Sequence, residues 1–361
     1  MWPVSQRFQQ TAVQSHQIAS TCTIFTPGGA SQDFPIATGT VQVDRTQQIR
    51  RTGTLTVVGG TDAFGLLSTP GAQVTISHGF VYGGADQELV PMLTGELTTA
   101  ALPYGDGLIT IAVADRWARL AASTRLNAYS PDPTASRTDE IAAAVTDVFP
   151  GITVRNSATD GGTVGTAQAW TDRAAQIASF TADGGTEAYF GPDGALIIRD
   201  LPRITDQPAW LIKTGPGGSL KTLTRTRPLD KLFNTVVLTP ATSDPVQGWT
   251  QVVAQISDPA DPRHPDRIGV RPYPYASPTA ITEDQAQTIA GQLLSKITAT
   301  TETLDVTALA MPALECGDIV RVVTPTDTGD TIRNQFLQQY TVDLATGDMS
   351  ASTRSDTELA A

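Results

Sequence analysis

The stretches Thr40-Val41-Gln42-Val43 and Thr52-Gly53-Thr54-Leu55-Thr56-Val57 alternate polar and apolar residues on either side of a charged segment. Alternation with a period of two is typical of a β-strand that buries one face. The two stretches are therefore predicted to be strands joined by a polar connection. That connection, Asp44 to Arg51, holds three arginines in a chain whose formal net charge is -12.

Arg45, Arg50 and Arg51 have two interpretations. A run of charge is most often a solvated loop. A basic patch on an acidic chain also suggests a contact surface for a partner, which is the alternative hypothesis. In that case reversing the three charges is expected to weaken assembly without unfolding the domain.

The composition defines the broad class of the protein. A chain of 361 residues is longer than one hydrophobic core usually serves, so two or three domains are expected. With 40% hydrophobic and 17% charged residues, and with 31 Gly and 24 Pro, a mainly β protein with many turns is predicted. The acidic balance disfavours nucleic acid or anionic lipid as the main ligand. No sequence-specific nucleic-acid binding is expected.

The N-terminal residues lack the basic and apolar regions of a secretory signal, so a soluble protein made without such a signal is expected. No stretch approaches the ~20 apolar residues of a membrane-spanning helix, so no membrane segment is predicted. The two cysteines, Cys22 and Cys316, are far apart and lack Cys-x-x-Cys spacing. Two buried, reduced thiols are expected in preference to a disulfide or a zinc site.

Residues 1–124 are predicted to form one antiparallel β domain, a barrel or a sandwich. A short helix is expected within 7–17. Turn residues such as Gly83-Gly84 and the segment 103–107 separate further strand patterns. These additional strands are predicted at 19–25, 73–77, 89–97 and 108–114.

Residues 125–205 are predicted to form a small α/β unit. Apolar residues between Ile141 and Phe149 recur with helical spacing after the polar Thr138-Asp139-Glu140, and a second helix is expected over 168–182. A hairpin is predicted over 186–200, because Gly191-Pro192-Asp193-Gly194 has the chemistry of a tight turn.

Residues 206–354 are predicted to form a second β domain that includes a helix over 282–298. That helix has apolar residues on one face, acidic residues in its first turn and a candidate capping box of Thr282 with Gln285. The tail 355–361 is expected to be disordered. The strands of this domain are predicted at 232–239, 250–257, 304–310 and 318–324, and in a hairpin over 338–353.

The sequence predicts no catalytic, cofactor-binding or metal-binding residue. His16, His78 and His264 lie in different surroundings, and no Gly-x-Ser-x-Gly or His-Glu-x-x-His motif occurs. The segment 258–266 is the best metal candidate, since it holds three Asp and one His. Its three prolines favour a stiff, solvated loop instead. Gly215-Pro216-Gly217-Gly218 lacks the Lys-Ser/Thr of a phosphate loop, and a turn is predicted.

The five tryptophans, at positions 2, 117, 170, 210 and 249, would form a sugar-stacking platform only if they shared one face. Their spacing does not favour this arrangement. Trp117 and Trp170 lie among apolar residues at helix-like positions, so both are predicted to be core residues.

Taken together, the chain resembles the tail-hub, or baseplate-hub, proteins of long-tailed bacteriophages, particularly the siphophages of actinobacteria. None of the matching stretches is a catalytic signature, and the resemblance depends on their order and spacing over nearly the whole chain. Cys316 departs from it, since a small or proline-like residue is expected there. The stretches are Trp2-Pro3-Val4-Ser5 with Arg7-Phe8 and Ser15-His16, leading to 41–46 and 49–51; 208–210 with 215–218 and 234–238; 275–278 with Gln285-Ala286 and Leu293-Leu294; and 312–320.

The resemblance implies a non-enzymatic structural protein of the virion tail tip, assembled in the host cytoplasm as a homotrimer. It implies a mainly β fold with an α+β insert, in which two β-barrel-like domains flank a small α/β unit. Three chains would then form a ring of six barrels. Implied partners are the distal tail protein, the tape measure protein and tail-tip or fibre proteins. The net negative charge further predicts that carboxylates line a channel through which DNA passes.

Two other classes of protein remain as alternatives. A receptor- or carbohydrate-binding tail-tip protein is expected to show clustered, exposed aromatic residues in a groove. A tail-associated lytic enzyme is expected to show paired carboxylates or a Cys-His pair in a cleft.

Overall fold

A computed structural model describes residues 1–84, 86–103, 105, 107–159, 161–165, 168–226, 232–239, 250–276, 283–298, 303–326 and 329–355. The chain divides into two compact units. The first comprises Met1–Thr224 and Leu304–Arg354, and the second includes the described residues of Arg225–Thr303. The predicted domain limits at 1–124, 125–205 and 206–354 stay a prediction.

The first part of the chain is antiparallel β-structure, as the alternation of its residues predicts. Side chains of the fourth strand are alternately buried and exposed from Arg51 to Val58. Two short helices accompany the strands, and Ser5 caps the first by accepting a hydrogen bond from the Phe8 amide. The elements are α1 (Gln6–Thr11), β1 (Gln17–Phe25), β2 (Ser31–Phe34), β3 (Ile36–Asp44), β4 (Arg51–Val58), α2 (Thr61–Leu67), β5 (Gln73–Gly83), β6 (Asp86–Ala101) and β7 (Leu108–Asp115).

A small α/β subdomain follows, with a hydrophobic core of its own. Asp172 caps α5, and Gly185, at a φ of 61°, ends it in the left-handed conformation that glycine adopts readily. In its sheet β10 lies between β8, which is parallel to it, and β9, which is antiparallel. The elements are α3 (Trp117–Ala122), α4 (Arg137–Thr146), β8 (Val154–Asn156), α5 (Arg173–Gly184), β9 (Thr186–Phe190) and β10 (Leu196–Asp200).

Two more strands, β11 (Trp210–Ile212) and β12 (Leu220–Thr226), precede the second unit. In that unit the helix α7 covers one face of a three-stranded sheet of order β14-β13-β15. Val236, Leu238 and Ala290 are among its fully buried core residues. Its elements are β13 (Thr235–Thr239), β14 (Val252–Gln255), α6 (Pro265–Ile268), β15 (Pro272–Ala276) and α7 (Glu283–Thr298).

The last four strands return to the first unit and complete a 13-stranded sheet. They are β16 (Thr303–Leu309), β17 (Ile319–Thr326), β18 (Gly329–Asp343) and β19 (Asp348–Arg354). The main path of the sheet is β12-β16-β19-β18-β3-β4-β7-β6-β5-β1-β2, and β17 joins β18 to β11. Pairing of β18 with β3, for example Val342 with Val41, makes the two β regions one continuous sheet.

Within the described residues the strand pairings form an open path, so the structure confirms a mainly β fold but shows no closed barrel. The helix predicted over 282–298 is α7, whereas Thr282 lies outside the described residues. The helix predicted over 168–182 begins later, at Arg173, because Asp172 is its cap. Helices α2 and α3 are too short to give a periodic pattern. Apart from Ser355, the tail 355–361 lies outside the described residues.

Candidate functional site

The predicted exposed arginines prove to be internal. Arg51 is 1% exposed, and its guanidinium donates to the Glu315 carboxylate at 2.5 Å and to the Met92 carbonyl at 2.7 Å. Its backbone N–H donates to Asp115 at 2.9 Å. Neither a solvated loop nor an exposed contact describes this side chain, so both interpretations are wrong for Arg51.

Arg45 and Arg50 converge on one buried carboxylate in the α/β subdomain. Glu187 accepts from Arg45 Nε at 3.0 Å, from Arg50 Nη2 at 2.7 Å and from Arg199 Nε at 2.7 Å. The Arg50 guanidinium also lies over the Tyr189 ring, 4.1 Å from its centroid. The side chains of Arg45 and Arg50 are only 9% and 11% exposed, so within this chain they pair internally.

Burial and neighbouring positive charges shift the pKa values of the buried carboxylates Glu187 and Asp115 in opposite directions. Burial alone would raise the pKa of Glu187, but the charges of Arg50, Arg199 and Arg45 outweigh it and lower that pKa to about 2. At Asp115 burial dominates over its hydrogen bonds and raises the pKa to about 6. The arginine cluster therefore holds Glu187 firmly ionised.

We call this arginine–carboxylate network the junction; it comprises Arg45, Arg50, Arg51, Glu187, Arg199 and Glu315. It joins three separate parts of the first unit: the β3–β4 connection, the β9–β10 hairpin and the segment before β17. Arg199 also donates to the Cys316 carbonyl at 3.1 Å. The Cys316 thiol, buried as predicted, lies 3.3 Å from the Val43 carbonyl. The junction fixes the α/β subdomain on the sheet.

The sequence contains a signal for this burial. Arg51 has the same parity in β4 as Gly53, Leu55 and Val57, which are all buried. Extending the period-two pattern by one residue would have placed Arg51 on the inner face.

The other predicted site residues have local structural roles. In the segment 258–266, Asp261 pairs with Arg263 at 2.7 Å, and the His264 ring accepts the Asp266 amide at the start of α6. Among the described residues no group of three His, Cys, Asp or Glu side chains is placed to hold a metal ion. The Gly215–Gly218 segment is a turn, as predicted, closed by the Gly218 amide on the Gly215 carbonyl at 2.9 Å.

His78 lies 2.7 Å from the Ser20 hydroxyl, but it is fully buried and therefore inaccessible to a substrate. Burial, with a contribution from His16, lowers the pKa of His78 to about 4. Trp117 is a core residue as predicted, whereas Trp170 is only half-buried. Trp249 lies outside the described residues. In the part of the chain that the structure describes, no helix is long and apolar enough to cross a membrane.

The sheet of the first unit also presents a polar face toward solvent. On β3 and β4, Thr40 lies opposite Thr54 and Gln42 opposite Thr52, and Thr56 is opposite Thr110 on β7. Residues directly opposite each other in an antiparallel pair lie on the same face. The row crosses the β3–β18 pair, where Thr341 is opposite Gln42, and continues to Ser350 on β19.

We call this surface the hydroxyl face. Residues of β12 and β16 share it, since they line the same shallow concavity of about 280 Å³ as Gln42 and Thr341. Most of the charged residues in its rows are carboxylates. Arg354, two positions beyond Ser352 on β19, lies half-buried at the end of its row. Its members are Thr38, Thr40, Gln42, Asp44, Thr52, Thr54, Thr56, Thr110, Thr222, Thr224, Asp305, Thr307, Gln339, Thr341, Asp343, Ser350 and Ser352.

Comparison with known proteins gives matches at the level of structure. No protein-family model and no curated protein sequence matches the chain. A tail protein from Neisseria meningitidis MC58 superposes with a TM-score of 0.62 at 13% identity, covering 94% of this chain and 97% of that one. The 43 kDa tail protein of prophage MuSo2 from Shewanella oneidensis gives 0.61 at 17% identity, covering 92% and 98%.

A third similar structure is the prophage tail protein gp18 from Listeria monocytogenes, with a TM-score of 0.55 at 8% identity, covering 94% of this chain and 95% of that one. At such identities the likeness shows the fold alone. Along nearly its whole length, this chain has the fold of prophage tail proteins.

Proposed function

We propose that this chain is a structural tail-hub protein of a long-tailed bacteriophage. The observation that carries the proposal is the full-length match to solved tail proteins, which covers 94% of this chain and 97% of the Neisseria meningitidis protein. Because the likeness covers almost all of both chains, it supports a match of the whole fold and not of one common module alone.

Three chains would form a ring at the tail tip, with two β-barrel-like regions from each chain. The continuity of the sheet supports this arrangement, because β18 pairs with β3 and so fixes the two β regions at one register. The junction supports it further, since it binds the α/β subdomain to both regions. Six β regions around one axis would match a sixfold tail tube.

The role we propose is non-enzymatic: the ring joins the tail tube to tip or fibre proteins and lets DNA pass. Its partners would be the distal tail protein, the tape measure protein and the tip proteins, and its place would be the virion tail tip after assembly in the host cytoplasm. The inaccessible His78–Ser20 pair and the locally paired Asp261 support a structural role, because the polar side chains that suggested chemistry are engaged in packing.

The proposal is tested by light scattering and electron microscopy of the purified chain, alone and mixed with the neighbouring tail proteins. The expected result is the mass of three 38.0 kDa chains and a ring with a central opening. A chain that stays monomeric in every mixture would overturn it.

A further inference from the structure

We infer that the hydroxyl face is the wall along which double-stranded DNA passes, and that it works by offering the DNA no adhesive contact. The inference rests on the proposed function and deepens it, because it assigns one surface of this chain to the opening of the ring.

The chemistry of the face argues against adhesion to DNA. A protein holds the DNA backbone mainly by neutralising phosphates with Lys and Arg, which releases counterions. The rows of the face instead present mainly hydroxyls and amides together with the carboxylates of Asp44, Asp305 and Asp343. Their one arginine, Arg354, lies half-buried at the end of the β19 row. Lys221, which follows Leu220 in β12, is paired with Asp348. Passing phosphates would meet water-binding groups and scattered negative charge.

The same chemistry argues against a docked protein. Protein interfaces are enriched in aromatic residues, Met and Arg, and their binding hot spots rarely use Ser or Thr. The central rows of the hydroxyl face, from Ser350 through Thr341 and Gln42 to Thr52, contain only small hydroxyl side chains and an amide. The exposed apolar pair of this face, Val58 opposite Leu108, lies at one end of the β4–β7 rows. The central rows therefore have little apolar area to bury against a partner.

The geometry makes the face suitable for a continuous wall. It crosses the β3–β18 pair without interruption, so each chain contributes one continuous surface from both β regions. Threonine side chains are short, and because they are β-branched they are also stiff at χ1. They therefore stay close to the sheet. Under this inference the lining of the opening would be mostly uncharged, with few carboxylates, whereas the net charge of the chain predicts a carboxylate lining.

A topological binding experiment tests the inference. The triple variant Gln42→Lys, Thr54→Lys and Ser350→Lys adds cations to exposed positions of the face. The matched control, Gln10→Lys, Gln87→Lys and Asn127→Lys, adds the same charge at exposed positions elsewhere. Binding of each protein to linear and to covalently closed circular duplex of one sequence is measured at the same series of salt concentrations.

If the face lines a closed ring, only DNA with free ends can thread through it. The face variant is then expected to bind linear duplex at least about tenfold more tightly than the circle, with strong salt dependence. The control is expected to bind both forms alike, and the unmodified ring to bind neither. Circular dichroism and electron microscopy serve to check that both variants fold and form rings.

Two other outcomes overturn the inference while the proposed function stands. Equal binding of linear and circular DNA by the face variant would place the face on the outside of the ring. A folded face variant that no longer assembles would place it in a protein interface. If the unmodified chain forms no ring, alone or in any mixture with the neighbouring tail proteins, the proposed function fails and the inference fails with it.

Discussion

Replacing Glu187 by Gln tests whether the junction stabilises the fold. Gln has nearly the same shape as Glu but lacks the charge that Arg45, Arg50 and Arg199 share at 2.7 to 3.0 Å. Removing one partner of a buried ion pair typically costs about 3–5 kcal/mol, because the remaining charges stay buried without compensation.

The pKa of Glu187 gives an independent magnitude. It falls from 4.5 to about 2 on folding, which corresponds to about 3 kcal/mol of stability at neutral pH. Because the folded pKa is the lower one, this stability is fully present above pH 4.5 and is lost as the pH falls through about 2. The two approaches agree on a loss of about 3 kcal/mol in the variant.

The assay is urea unfolding at pH 7, followed by near-ultraviolet circular dichroism. Glu96→Gln is the matched control, since Glu96 pairs with Arg119 at 3.2 Å on the surface and its loss is expected to cost at most about 1 kcal/mol. When urea unfolding of both variants is repeated at pH 3, the difference in unfolding free energy between Glu187→Gln and the unmodified protein is expected to be smaller. If Glu187→Gln costs no more than Glu96→Gln, the reasoning about the junction is refuted.

Arg51→Met is expected to cost about 3–5 kcal/mol because it leaves Glu315 buried and unpaired, and adding Glu315→Leu is expected to recover most of the loss in a double-mutant cycle of unfolding free energies. His78→Leu is expected to reduce the pH dependence of the unfolding free energy between pH 6.5 and 4. Over that range the unmodified protein is expected to lose about 3 kcal/mol, because acid protonates the histidine of the unfolded chain first. Gly95→Ala is expected to cost more than about 2 kcal/mol, measured by thermal unfolding, because its Cβ would lie 1.9 Å from the Ala114 carbonyl oxygen.

The opposite outcomes are equally specific. If Glu315→Leu recovers none of the lost unfolding free energy, the cost of Arg51→Met does not come from leaving Glu315 unpaired. If the unfolding free energy of His78→Leu falls with pH as steeply as that of the unmodified protein, other groups cause the pH dependence. Gly291→Ala is the control for Gly95, since a Cβ at Gly291 meets no atom within 4 Å and is expected to stabilise α7 by up to about 1 kcal/mol.

Local patterns predicted most of the regular elements. The strands containing Val41 and Leu55 follow from period-two alternation, and α7 follows from its helical spacing and acidic first turn. The patterns predicted the first residues of helices less well. Apolar residues precede α5, but the helix begins at Arg173 because Asp172 caps it. Short helices such as α3 depend on contacts that no local pattern contains.

The site was harder to predict than the fold. The three arginines are unusual in so acidic a sequence, but a charged side chain is buried only where its partners reach it. For Arg51 that partner is Glu315, 264 positions away in sequence. The hydroxyl face is also non-local, because only the pairing of β3 with β18 brings Gln42 beside Thr341.

The sequence by itself determined which segments become strands and helices, because the period of apolar residues acts over a few neighbouring positions. The tertiary structure alone decided which strands meet, which charges are buried and which polar side chains share one surface. Those outcomes depend on contacts between distant residues, and the free energy of a charge or a hydroxyl depends on whether such a contact replaces water.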